Sequence, residues 1–321
     1  MRRALVGVVL VWLVVVAAAP ALAGERYALI VSGASGDEKY AQTYDKWRAQ
    51  LSKLLTGKFG FDAARVVVLS EASTQPGLTS TAENLRRTVG SLKASLAADD
   101  LLFVVLIGHG TYDGTIAKFN LVGPDLDAEG WRALFDGLRG RLILVNTTAS
   151  SFPFLDAISG PNRIVITATD SPAQRYETTF PEFFVKAMDD PTADLDKNGR
   201  ISLLEAFIYA SAGVKQYYEQ RGQLATERPL LDDDGDHRGK EAGAPGPDGA
   251  LAGSTYFDRD LGASAAGGAS AELVRRRDRL VADVEQLKGK KGSMKEEEYY
   301  AALEKLLVEI AMIGRQIKSG S

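Results

Sequence analysis

The chain has 321 residues, with 38 lysines and arginines against 42 aspartates and glutamates, 45% hydrophobic residues and no cysteine. This composition excludes disordered, collagen-like and disulfide-stapled classes, and the missing sulfur excludes thiolate catalysis and cysteine-based zinc or iron–sulfur centres. A net charge of -4 provides no concentrated basic face, so nucleic acid is not an expected partner.

The N-terminus carries Arg2 and Arg3, an apolar run over 4–19, then Pro20 and Ala21-Leu22-Ala23. Charge, apolar run and small residues in that order predict a signal peptide over 1–23, hence an exported chain, periplasmic or secreted. Cleavage after Ala23 lowers the basic count from 38 to 36 against 42 acidic residues, a net of -6. The alternative is an uncleaved anchor, because the run approaches the roughly 20 residues a spanning helix needs.

After residue 24, short β-branched runs alternate with amphipathic stretches, the pattern of βαβ units around a parallel sheet. Strands are expected at 27–32, 65–69, 101–107, 141–146 and 163–168, so the fold class is α/β, a mostly parallel sheet with helices on both faces. Helices are expected at 41–56, 82–97, 131–138, 180–188 and 202–219, the second opened by a capping box from Ser80 to Glu83. The Gly-, Ala- and Pro-rich stretch 239–270 reads as a flexible linker closing an α/β domain of 24–238. Beyond it, Leu273, Leu280, Val284 and Leu287 fall on one stripe, then Tyr299, Leu303, Leu306, Ile310, Ile313 and Ile317 repeat at coiled-coil spacing, all within 271–318. Gly289 and Gly292 divide the two segments, which predicts a helical hairpin that either docks on the domain or self-associates.

Strand 101–107 runs directly into Gly108-His109-Gly110. A histidine at a carboxyl strand end is poised for proton transfer, and the Gly110 amide is a candidate oxyanion donor. A second motif, Asp194-Leu195-Asp196-Lys197-Asn198-Gly199-Arg200-Ile201-Ser202-Leu203-Leu204-Glu205, fits a twelve-residue EF-hand loop. Asp194, Asp196, Asn198, the Arg200 carbonyl, Ser202 and Glu205 supply the oxygen positions, and Gly199 allows the sharp turn. Carboxylates so close together repel one another without a cation, so Ca2+ is the expected cofactor, in a structural role. The acidic run Asp232-Asp233-Asp234-Gly235-Asp236-His237 lacks a terminal glutamate and reads as a solvated turn.

Over roughly 26–236, the Gly-His-Gly strand end, the Ser32-Gly33-Ala34-Ser35-Gly36 loop and the Ile166-Thr167-Ala168-Thr169-Asp170-Ser171 strand end together resemble the caspase–hemoglobinase fold. The likeness is greatest to legumain-like cysteine peptidases and their bacterial relatives. The resemblance implies a nucleophilic cysteine directly after the fourth strand. Here that stretch is Asn146-Thr147-Thr148-Ala149-Ser150-Ser151, which puts Thr148 at the nucleophile position with Ser150 and Ser151 beside it. It also implies an arginine and an acid that hold a substrate asparagine, and the matching positions carry Ala41 and Asn146. A family member without its cysteine and both recognition charges is expected to be an inactive peptidase domain that binds a protein or peptide. The alternatives are a hydrolase using a Ser or Thr hydroxyl with His109 as base, and an assembly protein acting through its coiled coil.

Overall fold

The computed structural model describes residues 24–172, 174–244, 246–258, 269–289 and 291–319. The expected signal segment 1–23 lies outside the described residues. Strand β1 (Arg26–Ser32) leads through α1 (Glu38–Lys53) and one π-helical turn (Leu54–Lys58) to β2 (Val66–Ser70), then α2 (Ala82–Ser95) and β3 (Leu101–Ile107). Three short strands follow, β4 (Gly110–Tyr112), β5 (Ala117–Phe119) and β6 (Leu126–Asp127), then α3 (Ala128–Phe135), β7 (Arg141–Asn146), α4 (Phe152–Ile158) and β8 (Arg163–Thr167). The body ends with α5 (Phe180–Ala187), α6 (Leu203–Gln220), β9 (Leu230–Asp232) and α7 (Ala250–Gly253). A hairpin of α8 (Ala269–Gly289) and α9 (Glu296–Ser319) follows.

The fold is α/β. The main sheet has the order β2-β1-β3-β7-β8-β9, parallel throughout except for β9, which runs antiparallel to β8. Because side chains alternate across a strand, each central strand feeds two cores. Ala28, Ile30, Phe103, Val105, Ile143 and Val145 face α1, α5 and α6. Their neighbours Leu29, Val31, Leu102, Val104, Leu142 and Leu144 pack with α2, α3 and α4 around Trp131 and Phe135. Covering both faces explains why these strands are uninterrupted apolar runs.

The structure corrects several boundaries. The second helix is capped by Thr81, whose hydroxyl accepts from the Asn84 amide, and not by Ser80. The Ser80 backbone is tied to Ser70 and Val122, so the chain can turn into the helix only one residue later. The third helix starts at Ala128 because the Asp127 carboxylate caps it through the Gly130 amide at 2.7 Å. Helix α4, strand β9 and the small sheet β4–β5–β6 were not expected.

The largest correction concerns the expected linker. Residues 240–244 and 246–258 are built into the body: Lys240 pairs with Leu231 in both directions, Ser202 bridges to Tyr256, and Phe257 is 2% exposed between Phe59 and Phe103. Arg26, itself buried, donates to the carbonyls of Phe59 and Phe257 and closes this packing. Glycine and proline spacing cannot reveal that one phenylalanine is drawn into a core formed 150 residues earlier. Residues 259–268 of that stretch lie outside the described residues. Among the described residues, no helix is long and apolar enough to cross a membrane.

Candidate functional site

The carboxyl ends of β1, β3 and β7 meet on one edge, as expected for the ligand crevice of an open α/β sheet. They bring together the loop after Ser32, the Gly108-His109-Gly110 turn and residues 147–151. Ser35 is anchored from below, its amide and hydroxyl both donating to the Glu71 carboxylate at 2.9 and 2.6 Å. Gly110 is required by close approach: a Cβ there would overlap the Ala149 carbonyl oxygen and lie 2.7 Å from Thr148 Oγ1.

His109 Nε2 lies 3.0 Å from the Ser35 carbonyl oxygen and 3.1 Å from the Tyr44 hydroxyl. A carbonyl can only accept, so the neutral imidazole carries its proton on Nε2 and keeps its lone pair on Nδ1. Tyr40 stands edge-on to the ring at a centroid distance of 4.6 Å and Tyr44 at 5.6 Å. Burial pushes the Tyr44 hydroxyl well above its ordinary range, and the nearby Glu177 charge adds to the effect. For Tyr40 the Glu177 charge is the leading cause of a rise, with burial second.

The three candidate nucleophiles are in the same loop, but each hydroxyl is hydrogen-bonded to a partner other than the imidazole. Thr148 is fully buried, and its Oγ1 donates to Asn146 Oδ1 at 2.8 Å with the Ala149 carbonyl 3.1 Å away. The Asn146 oxygen also accepts from the Thr148 amide, and its buried Nδ2 has no partner among the described residues. Ser150 adopts φ +53°, a left-handed conformation costly for a side-chain-bearing residue, and turns its amide and hydroxyl onto the Gln174 carbonyl at 2.9 and 3.0 Å. Ser151 Oγ receives the Ala168 and Thr169 amides and shares a proton with Thr169 Oγ1 at 3.0 Å. Thr178 donates to the Thr147 carbonyl, so segment 174–178 lies directly over the loop. Ala41 sits in the first turn of α1, where it offers a methyl in place of a charge.

Sequence reading missed Tyr40, Tyr44, Gln174 and Thr178. The first two carried a signal, four residues apart on one helical face directly after the Ser35 loop. Nothing local marked the other two.

The acidic loop 194–205 joins α5 to α6. Asp194, Asp196 and Glu205 can each bring a carboxylate oxygen within 4.8 Å of the others. Positive φ at Lys197 and Gly199 folds the backbone inward, so that Asp194 accepts from the Asn198 and Gly199 amides at 3.0 and 2.9 Å. Glu205 Oε1 accepts from the Leu195 amide while Oε2 accepts from the Ser202 amide and hydroxyl, closing a capping box on α6. Partial desolvation by the folded loop, then the charge of Glu205, pushes Asp196 up to about 6 although the residue as a whole is exposed. Two residues unforeseen in the sequence clasp this loop. Tyr256 receives the Asn198 side-chain amide at 3.2 Å and lies under the Arg200 guanidinium at 3.9 Å, and Asp258 pairs with Arg200 at 2.9 Å.

The second acidic run is only in part the solvated turn expected from sequence: Asp234, Asp236 and His237 are exposed. Asp232 and Asp233 are buried, because β9 inserts the run at the sheet edge, and Asp248 joins them from the supposed linker. The Asp233 carboxylate accepts from the Gly249 and Ala252 amides at 2.8 and 2.7 Å, fixing α7. Burial raises all three carboxyls, and Asp248, with Asp234 the strongest of three acidic neighbours, reaches about 7.

No protein family matches the chain, and none of the curated proteins does. Among solved structures, the crystal structure of protein GSU0716 from Geobacter sulfurreducens is similar over 73% of this chain and 98% of its own length, at 13% identity and a TM-score of 0.46.

Proposed function

We propose that this chain is an exported, calcium-stabilised binding module on a legumain-like body, without peptidase chemistry, whose crevice around His109 takes a peptide or protein. The observation that carries the reading is the pairing of His109 with the Ser35 carbonyl and Tyr44 hydroxyl, while the Thr148, Ser150 and Ser151 hydroxyls are bonded to other partners. An alcohol nucleophile needs its base within hydrogen-bond reach, and an alcohol held against an amide oxygen two residues away has none. What the crevice offers a peptide is recognition. The Nδ1 lone pair accepts a backbone N–H, the Tyr40 edge packs against an apolar side chain, and Glu177 presents a negative charge beside them.

The residues of loop 194–205 fit a calcium ion: the donors are all oxygens, three are carboxylates, and their convergence costs repulsion that a divalent cation offsets. Asp194, Asp196, Asn198, Glu205 and the Arg200 carbonyl would hold it, with Ser202 facing the same loop. The ion would supply charge neutralisation and stiffness to the α5–α6 connection. Export is supported by the 1–23 segment, and the lack of cysteine removes any dependence on disulfide formation after export.

The test is a broad fluorogenic peptide library together with a covalent serine-hydrolase probe, on protein supplied with calcium. We expect no turnover, and saturable peptide binding that His109→Ala weakens. Turnover abolished by His109→Ala would overturn the reading.

A further inference from the structure

The hairpin uses one face of α9 internally. Val284 and Leu287 of α8 and Tyr299 and Ile313 of α9 are buried, Leu303, Leu306 and Ile310 are half-buried between the last two, and Arg276 of α8 pairs with Glu309 of α9 at 2.6 Å. A helix packed on one side should be polar on the other. Here the opposite face carries Tyr300, Leu307, Val308 and Met312, 48, 49, 50 and 54% exposed, with Ala311 exposed between them. At 100° per residue, positions 300, 304, 307, 308, 311 and 315 fall on one stripe, flanked by 312, along a helix roughly 36 Å long. Such a stripe on a solvent face marks an interaction surface.

We propose that this stripe is a self-association surface on which two copies of the chain pack α9 against α9, antiparallel, about a twofold axis beside Leu307 and Val308. The charges on the stripe select the occupant. Its N-terminal half carries Glu304 and its C-terminal half Arg315, both exposed and neither ion-paired among the described residues. An antiparallel twofold sets Tyr300 and Glu304 of one copy opposite Arg315 and Ala311 of the other, so the guanidinium meets an aromatic face and a carboxylate together. A parallel arrangement would oppose Glu304 to Glu304 and Arg315 to Arg315. Leu307 and Val308 sit at the centre, where a self-complementary interface buries its apolar core, and the charges lie outside them, as in a polar rim. This inference is independent of the reading of the His109 crevice.

The experiment is sedimentation velocity over a wide concentration range, on the protein as recovered from the expressing cell, with helix content followed by circular dichroism. The wild type should be a reversible dimer. Leu307→Glu/Met312→Glu should leave helix content unchanged, since both side chains are exposed, and raise the dissociation constant roughly a hundredfold or more by burying unpaired charge. Glu304→Arg should weaken the dimer roughly tenfold by opposing arginines, and Glu304→Arg/Arg315→Glu should restore it. A wild type that stays monomeric would overturn the proposal and leave the stripe to a different partner. A dimer indifferent to Leu307→Glu/Met312→Glu would also overturn it, as would a charge reversal that the double variant fails to rescue.

Discussion

The imidazole of His109 and the phenol of Tyr44 meet edge to face, with Nε2 3.1 Å from the hydroxyl and the Ser35 carbonyl 3.0 Å away on the same nitrogen. One ring nitrogen is thereby fixed by two partners from two different elements, which determines the tautomer and leaves the lone pair on Nδ1. Replacing Tyr44 with phenylalanine removes one of the two partners and keeps the aromatic contact. The expected loss is about 1 kcal/mol of stability, read from urea unfolding. A neutral result would mean that the hydroxyl is satisfied equally well by water.

The burial of Thr148 can be tested with sulfur, because the chain has no cysteine to confuse the readout. In Thr148→Cys the thiol would occupy a site with no solvent exposure, facing Asn146. Alkylation of the folded protein should be slower than in denaturant by roughly a hundredfold or more, because the reagent reaches the thiol only through local opening. Peptide turnover should not appear. Fast labelling of the native protein would show that segment 174–178 does not close the loop.

Calcium should raise the thermal midpoint. An ion bound only by the folded state and present at a hundred times its dissociation constant adds about 2.7 kcal/mol. For a body of this size that corresponds to a rise of roughly 5–10 °C. Asp196→Asn removes one of the three converging carboxylates and should abolish the rise. An equal midpoint in chelator and in calcium would remove the ion from the account.

Asp248 makes stability depend on pH. Its folded-state value, about 7, lies above the unfolded 3.8, so between these values the folded form holds a proton that the unfolded form has lost. Stability therefore falls as pH rises from about 4 to 7, and the loss is complete above that window. Asp248→Asn keeps the oxygen that accepts the Asp233 amide at 2.9 Å and removes the charge. The variant should be more stable than wild type at pH 8 and closely similar at pH 4. Parallel pH profiles of the two proteins, measured by denaturant unfolding, would contradict this account.

Phe257 distinguishes a linker from a core. Its ring packs 5.0 Å from Phe103 and 5.4 Å from Phe59, centroid to centroid. Truncation to alanine should cost about 3–5 kcal/mol, as for other buried aromatic residues. In a true linker it would cost almost nothing.

Much of the body was legible in the chain because its signals are local. Each of the five parallel strands carries a contiguous apolar run, and such a run needs no partner information to be recognised. The convergence of Asp194, Asp196 and Glu205 was equally legible, since all three carboxylates lie within twelve consecutive residues. The Gly-His-Gly turn placed His109 at the strand end where the structure has it. The seam Tyr299, Leu303, Leu306, Ile310 and Ile313 followed from periodicity alone.

Tertiary structure decided what the polar groups do. The family resemblance implies a nucleophile at Thr148, but the hydroxyl's direction is set by the Asn146 oxygen, and the loop around it is held by Gln174 and Thr178 from another segment. Tyr256, Phe257 and Asp258 look like linker residues because their partners Asn198, Phe103 and Arg200 are 58 or more positions away. The outer stripe of α9 became visible only when the inner face was seen to be filled. Apolar burial is encoded by runs and periods along a chain, whereas the direction of a hydrogen bond depends on atoms that meet only after the chain has folded.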